Sequence, residues 1–98
     1  MELRQLRYFV AVADTGNISR AARKIFLTQP ALSRQIKALE EEVGQCLLER
    51  HAHSVRLTPA GEVMLHEARE LLRLADQAVE DRKSTRLNSS HSQQSRMP

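Results

Sequence analysis

The sequence predicts a mainly helical fold: three short helices, a small two-stranded hairpin and a long fourth helix. Apolar residues recur at three- and four-residue steps along most of the first 80 residues, which is the period of an amphipathic helix. One Tyr, two Phe and no Trp are too few aromatic residues for the core of a β-sandwich. A chain of 98 residues forms one small domain, so a large active-site cleft is not expected.

The first two helices are separated by a break in the apolar pattern at Gly16 and Asn17. Asn17 is suited to cap the second helix, because its side chain can accept a bond from a free backbone N–H group. The apolar faces of the first and second helices are formed, respectively, by Leu3, Leu6, Phe9, Val10 and Ala13, and by Ile18, Ala21, Ala22 and Ile25. The small alanines allow the second helix to approach its neighbours closely.

The third helix is predicted from Gln29 to Val43. Thr28 can cap it, and Pro30 fits the first turn, where a missing N–H group does no harm. Gly44 ends it, since glycine readily adopts the left-handed backbone conformation found after helices. Its predicted buried face consists of Leu32, Ile36, Leu39 and Val43.

A small hairpin is predicted within residues 47–57, where two short apolar runs flank a polar segment. Thr58 and Pro59 then start the long fourth helix. Its apolar residues recur as in a coiled coil and predict a dimerisation seam. The seam consists of Leu65, Ala68, Leu72, Ala75 and Val79. Packing of the same stripe against the first helix is the alternative, and some residues can serve both purposes.

The second and third helices, joined by a tight turn, form the pattern of a helix-turn-helix, whose second helix enters the major groove of DNA. On the third helix, the polar residues Gln29, Ser33, Arg34 and Lys37 lie outside the apolar stripe, toward the end that reads bases. Glutamine can pair with adenine and arginine with guanine, while serine can contact a base or a phosphate. Arg34 is the preferred base-reading residue.

Charge is segregated along the chain. The net charge is +3, yet residues 1–80 carry 11 Lys or Arg and 11 Asp or Glu. Residues 15–39 hold no acid, and residues 40–42 are all Glu. The basic residues of this acid-free segment are Arg20, Arg23, Lys24, Arg34 and Lys37. They favour phosphate contacts, which give salt-dependent affinity; a solvated helix face is the alternative.

Three segments, SRAARKIFLTQPALSRQIKALEEEVG, LLER and LTPAG, resemble the N-terminal domain of LysR-type transcriptional regulators, and the resemblance covers about 80 residues. It implies a winged helix-turn-helix at residues 1–58 and a linker and dimerisation helix at residues 59–80. It also implies base contacts by Gln29, Pro30, Ser33 and Arg34, backbone contacts around Thr28 and Lys37, and a wing that reaches the minor groove near Arg50 and His53. Wings of this family often carry an arginine at the tip, where this sequence has residues HAHS.

The resemblance further implies a sequence-specific transcription factor that binds double-stranded DNA as a homodimer in the bacterial cytoplasm. The full-length parent would be a tetramer, with a C-terminal domain, missing from this sequence, that senses a small-molecule effector. The rival interpretation is a helical interaction module whose basic patch meets an acidic protein. Salt-sensitive binding to duplex DNA separates the two interpretations.

No enzyme activity, cofactor or metal site is predicted. The sequence contains no C-x-x-C or H-E-x-x-H spacing, no G-x-S-x-G motif and no glycine-rich phosphate loop. The single cysteine, Cys46, is predicted to be a small buried apolar residue. A role as a redox sensor is the alternative. No apolar run approaches the length that crosses a membrane.

Residues 81–98 differ from the rest of the chain. The segment DRKSTRLNSSHSQQSRMP is rich in Ser and Arg and has no helical periodicity. It resembles the translation of a sequencing adapter, which predicts a non-native, disordered tail fused after about Glu80. A natural basic arm that contacts DNA is the alternative.

Overall fold

The computed structural model describes residues 1–52 and 54–87. Its elements follow the predicted order and confirm the mainly helical winged architecture. They are α1 (Leu3–Thr15), α2 (Ile18–Lys24), α3 (Gln29–Val43), β1 (Leu48–Arg50), β2 (Val55–Leu57) and α4 (Pro59–Leu87).

The ends of the first three helices lie where the sequence predicts them. The side chains of Asn17 and Thr28 each accept a hydrogen bond from the backbone N–H three residues later, at 2.9 and 3.2 Å. Gly16 and Gly44 end α1 and α3 with φ angles of 70° and 84°. These angles lie in the left-handed region that glycine adopts without a steric penalty. Local chemistry therefore determines both turns that flank α2 and the end of α3.

The core forms where α1 packs against α2, α3 and α4. Phe9 is its largest fully buried side chain. Nearly all of the buried residues belong to the predicted apolar faces, and among residues 1–52 and 54–81 no polar or charged side chain is buried. The buried residues are Leu6, Phe9, Val12, Ile18, Ala21, Ala22, Leu32, Ile36, Leu39, Leu47, Leu48 and Ala68.

The wing is an antiparallel hairpin in which Leu48 pairs with Leu57. Its second strand is tied to the first interhelical turn, because the N–H group of Val55 donates to the carbonyl oxygen of Gly16 at 3.0 Å. This bond holds the wing beside the start of α2.

Glu40 fixes the start of the wing from the other side. Its carboxylate oxygen Oε2 accepts the backbone N–H groups of Leu47 and Leu48 at 2.8 and 3.2 Å. The first of the three consecutive glutamates is thus half-buried and links α3 to β1 through hydrogen bonds.

The start of α4 packs directly on the segment that precedes β1. Gly61 is buried there, and a Cβ atom at this position would lie 2.0 Å from the carbonyl oxygen of Leu47. The hydroxyl of Thr58 donates to the carbonyl oxygen of Cys46 at 2.7 Å and accepts the N–H of Gly61 at 3.0 Å. The LTPAG segment therefore combines a helix cap with a contact too close for any side chain.

Two expectations are corrected by the structure. The helix does not end at Glu80: α4 continues to Leu87, in agreement with the absence of Gly and Pro from residues 81–87 and with the good helix propensity of Lys and Arg. The origin of this segment stays a prediction, and residues 88–98 lie outside the described ranges. Cys46 is exposed rather than buried, because Leu47 and Leu48, not Cys46, point into the core.

Candidate nucleic-acid interface

The N-terminal half of α3 presents polar side chains over an apolar face that is completely covered. Gln29, Pro30, Arg34 and Lys37 are exposed, and Ser33 is half-buried. Beneath them, Leu32 and Ile36 are 0% and 1% exposed. Because α3 begins with the Thr28 cap and is held by this face, its outer side chains project from a rigid element.

The basic residues of α2 and α3 are exposed and have no ionic partner within the described part of the chain. They are Arg20, Arg23, Lys24, Arg34 and Lys37. The exposed glutamates at positions 41 and 42 lie at the opposite end of α3, where Glu42 pairs with the amino group of Met1. A cationic surface that is not neutralised internally is suited to an external polyanion.

The wing and the N-terminal ends of α2 and α3 enclose a cleft of about 190 Å³. Gln29, Arg50 and His51 line this cleft. The guanidinium of Arg50 donates to the hydroxyl of Ser33 at 3.5 Å, so the wing reaches the predicted recognition helix. The imidazole Nε2 of His51 lies 3.8 Å from a carboxylate oxygen of Glu49. His53, which was predicted for the wing contact, lies outside the described residues.

Two exposed residues near this surface escaped sequence reasoning. The hydroxyl of Ser19 donates to the amide oxygen Oε1 of Gln29 at 2.8 Å, across the helix-turn-helix. Phe26, in the turn between the helices, is 94% exposed and has a φ angle of 61°, which is unusual for a bulky residue. No periodicity identifies either residue, although the placement of Ser19 in the first turn of α2 was available from the predicted cap at Asn17.

The predicted dimerisation residues of α4 do not share one environment. Ala68 is fully buried, and Leu65 and Leu72 pack against the same core. Ala75 is half-buried, whereas Val79 is 56% exposed. The first part of the stripe therefore contacts the core of its own domain. Among residues 59–81, three further large apolar side chains are exposed: Val63, Leu71 and Leu74.

Ion pairs join α1 and α4 in antiparallel order. Arg69 of α4 lies 2.6 Å from Asp14 of α1, and Asp76 lies 3.3 Å from Arg7. These pairs are exposed, so each contributes little to stability. They nevertheless leave Arg7 and Arg69 neutralised, unlike the cations of α2 and α3.

Nothing in the described ranges groups three or more His, Cys, Asp or Glu side chains in a way that could hold a metal ion. The same part of the chain contains no helix long and apolar enough to cross a membrane.

The sequence matches known transcriptional regulators. Residues 3–62 match the family described as bacterial regulatory helix-turn-helix protein, lysR family. The chain is 51% identical over 80 residues to the regulator TfdS of Cupriavidus pinatubonensis and, over the same length, 51% identical to the regulator AlsR of Bacillus subtilis. These matches cover 82% of this chain but only 27% and 26% of the relatives, so the chain spans about a quarter of their length.

Solved structures show the same fold. The crystal structure of the CbnR DNA-binding domain in complex with DNA has a TM-score of 0.84 and 42% sequence identity, covering 87% of this chain and 98% of that one. The complex of the BenM DNA-binding domain with the catB site has a TM-score of 0.83 and 48% identity, covering 87% and 94%. The chain therefore belongs to the lysR family of bacterial regulatory helix-turn-helix proteins, with the winged helix-turn-helix fold that its sequence predicted.

Proposed function

We propose that this chain binds double-stranded DNA sequence-specifically and regulates transcription, with α3 placed in the major groove. The observation that carries the proposal is the surface of α2 and α3. There, five exposed cations that have no ionic partner among the described residues surround a firmly packed helix end. The CbnR and BenM domains, which share this fold, were solved as DNA complexes. An enzymatic role is not part of this proposal.

Base recognition falls to the exposed N-terminal half of α3. Arg34 is the preferred reader, since a guanidinium can donate two bonds to the major-groove edge of guanine. Gln29 and Ser33 supply further polar contacts, and Pro30 lies between them on the exposed first turn. The hydroxyl oxygen of Thr28 accepts the cap bond from the N–H group of Ala31, which leaves its O–H group able to donate to the DNA backbone.

Phosphate contacts are assigned to the surrounding cations. Arg20 and Lys37 flank the recognition surface on α2 and α3, and such contacts set register without reading sequence. In the wing, Arg50 and His53 are the proposed contacts to the minor groove. The 3.5 Å contact between Arg50 and Ser33 supports a wing that follows the same DNA segment as α3.

We propose that the active form is a homodimer joined through α4. Support comes from the exposed apolar residues Leu71, Leu74 and Val79, which would be costly to leave in water. Leu65, Ala68, Leu72 and Ala75, also predicted for the seam, would support this contact from beneath. Two copies would then read half-sites about 34 Å apart, or a multiple of that distance.

The longer parent would add a C-terminal effector domain and assemble as a tetramer. Relatives about four times as long as the matched region support this proposal. A regulator that acts on a bacterial chromosome would work in the cytoplasm.

A binding selection tests the DNA proposal. The full chain is used to select duplexes from a randomised pool, and the affinity for the selected site is compared for wild type, Arg34→Ala and Arg73→Ala. We expect Arg34→Ala to lose about 1–3 kcal/mol at the selected site, with relaxed discrimination at one base pair. Arg73→Ala removes an equal charge, but from α4, and should retain the affinity. Failure to enrich any duplex would reject the proposal in favour of the protein-interaction alternative.

Sedimentation of wild type and Leu74→Asp tests the dimer. A buried carboxylate at this contact should shift the protein to monomer at concentrations where wild type is a dimer. Glu67→Asp, an exposed acid replaced by an acid on the same helix, is the matched control. A wild-type protein that remains monomeric, or an unchanged Leu74→Asp dimer, would remove α4 as the interface.

A further inference from the structure

The first residue of the recognition helix is held by a side chain from the preceding helix. Ser19 lies in the first turn of α2 and Gln29 begins α3. The Ser19 hydroxyl donates to Oε1 of Gln29 at 2.8 Å, a normal distance for this type of bond. Both side chains are exposed and line the cleft beside the wing. The bond therefore lies on the surface that faces DNA under the proposed function.

This bond restricts a side chain that would otherwise be mobile. Glutamine has three rotatable side-chain bonds, and an exposed glutamine loses conformational entropy when a ligand orders it. A partner that orders the side chain in the free protein lowers this cost of binding. Ser19 is the only residue in the described ranges whose side chain is hydrogen-bonded to Gln29.

The bond leaves the groups that recognise a base available. An amide oxygen has two lone pairs and the amide nitrogen has two N–H groups. Ser19 uses one lone pair, so Gln29 keeps one acceptor and both donors. Pairing with the major-groove edge of adenine requires one acceptor and one donor.

We propose that Ser19 is a positioning residue that orients the Gln29 amide and thereby sets base discrimination at the position that Gln29 contacts. This inference rests on the proposed function. Ser19 acts through Gln29 and need not touch DNA itself. A direct bond from its hydroxyl to a phosphate is the competing role, and it would add affinity without adding sequence information.

A double-mutant cycle separates the two roles. Wild type, Ser19→Ala, Gln29→Ala and the double variant are measured against the selected duplex and against duplexes altered one base pair at a time. We expect Ser19→Ala to reduce discrimination about two- to tenfold at the base pair that Gln29→Ala also affects, which is the range of one neutral hydrogen bond. Binding to an unrelated duplex and the salt dependence should not change.

One further variant and the double variant complete the comparison. Ser19→Thr keeps a hydroxyl and should restore discrimination. In the Gln29→Ala background, Ser19→Ala should have no further effect, because the side chain that it orients is absent. Alanine is a good helix former, so Ser19→Ala should leave α2 intact. Thermal unfolding of each variant verifies this.

The outcomes distinguish this inference from the proposed function. Equal weakening of all duplexes by Ser19→Ala, or an undiminished effect in the Gln29→Ala background, would overturn the positioning role while DNA recognition by α3 stands. Unchanged discrimination in Ser19→Ala would overturn it as well. If wild type discriminates between no duplexes, both proposals fail together.

Discussion

The two halves of this small fold handle charged and apolar side chains in opposite ways. On α2 and α3 the large apolar residues are covered, while the cations are exposed without ionic partners in the described ranges. On α1 and on residues 59–81 of α4 the arginines have acidic partners, while Leu71, Leu74 and Val79 are exposed. Among the described residues, the first surface has no anionic partner and the second has no apolar partner.

This difference separates two kinds of binding on one chain. Unneutralised cations gain most from a polyanion, because binding releases its condensed counterions. The exposed leucines, which lie beside neutralised arginines, gain most from burial against a second apolar surface. An increase in ionic strength should therefore weaken DNA binding more strongly than it weakens dimerisation.

The largest expected effect contrasts a leucine from each half. Leu32→Ala should reduce the free energy of unfolding by about 3 kcal/mol, because it leaves a cavity under α3. Leu74→Ala should cost less than about 1 kcal/mol in dilute protein, since the side chain is 51% exposed. Denaturant unfolding at low protein concentration measures both. Equal losses would show that α4 is as fully packed as α3.

The next effect concerns the junction of the two halves. Gly61→Ala should destabilise the fold by about 2–3 kcal/mol, because its Cβ would overlap the carbonyl oxygen of Leu47. Gly44→Ala is the control. A Cβ atom at this position would meet no neighbouring atom within 4 Å, so alanine should cost only about 1–2 kcal/mol, from the left-handed backbone conformation. Thermal unfolding of both variants makes the comparison. A smaller loss for Gly61→Ala would mean that the start of α4 shifts freely.

A moderate effect tests the unpaired cations. Lys37→Ala should reduce the slope of log affinity for DNA against log salt concentration by about 0.9, the contribution of one phosphate contact. Arg69→Ala removes one charge from the ion pair that joins α4 to α1 and should leave the slope unchanged. Fluorescence anisotropy across a salt series provides the slopes. Identical changes in both variants would contradict the division between the two halves.

The smallest effect tests the paired charges. The hydrogen bond and the charge of Arg73 lower the pKa of Glu70, with a smaller contribution from the charge of His66. The pair therefore stabilises α4 at pH values above the ordinary pKa of a glutamate. This stabilisation is lost as the pH falls through the lowered pKa of Glu70. Arg73→Ala should return the pKa of Glu70 toward its ordinary value in an NMR titration. An unchanged pKa would show that the pair does not form in solution.

Most of the fold could be predicted because its signals are local. The caps at Asn17 and Thr28 and the glycine at position 44 act on neighbouring backbone, so their residue types alone identify the helix ends. The exposed members of the candidate interface followed from the apolar stripe of α3. The prediction that Cys46 is buried was wrong, because an apolar context in the sequence does not say which of several consecutive side chains points inward.

Contacts between distant residues could not be predicted. Glu40 appeared as the first of three equivalent acids, and only the fold brings two backbone N–H groups of the wing to it. Ser19 and Gln29 are ten residues apart on different helices, and their bond depends on the helix-turn-helix geometry.

By itself, the sequence determined the element order, the ends of the first three helices, the exposed polar face of α3 and the family. Periodicity, capping chemistry and charge segregation need only neighbouring residues. The tertiary structure decided which apolar residues of α4 are used by the domain's own core and which are left exposed. It also decided which cations lack ionic partners in the described ranges, because burial and ion pairing depend on how separate helices pack.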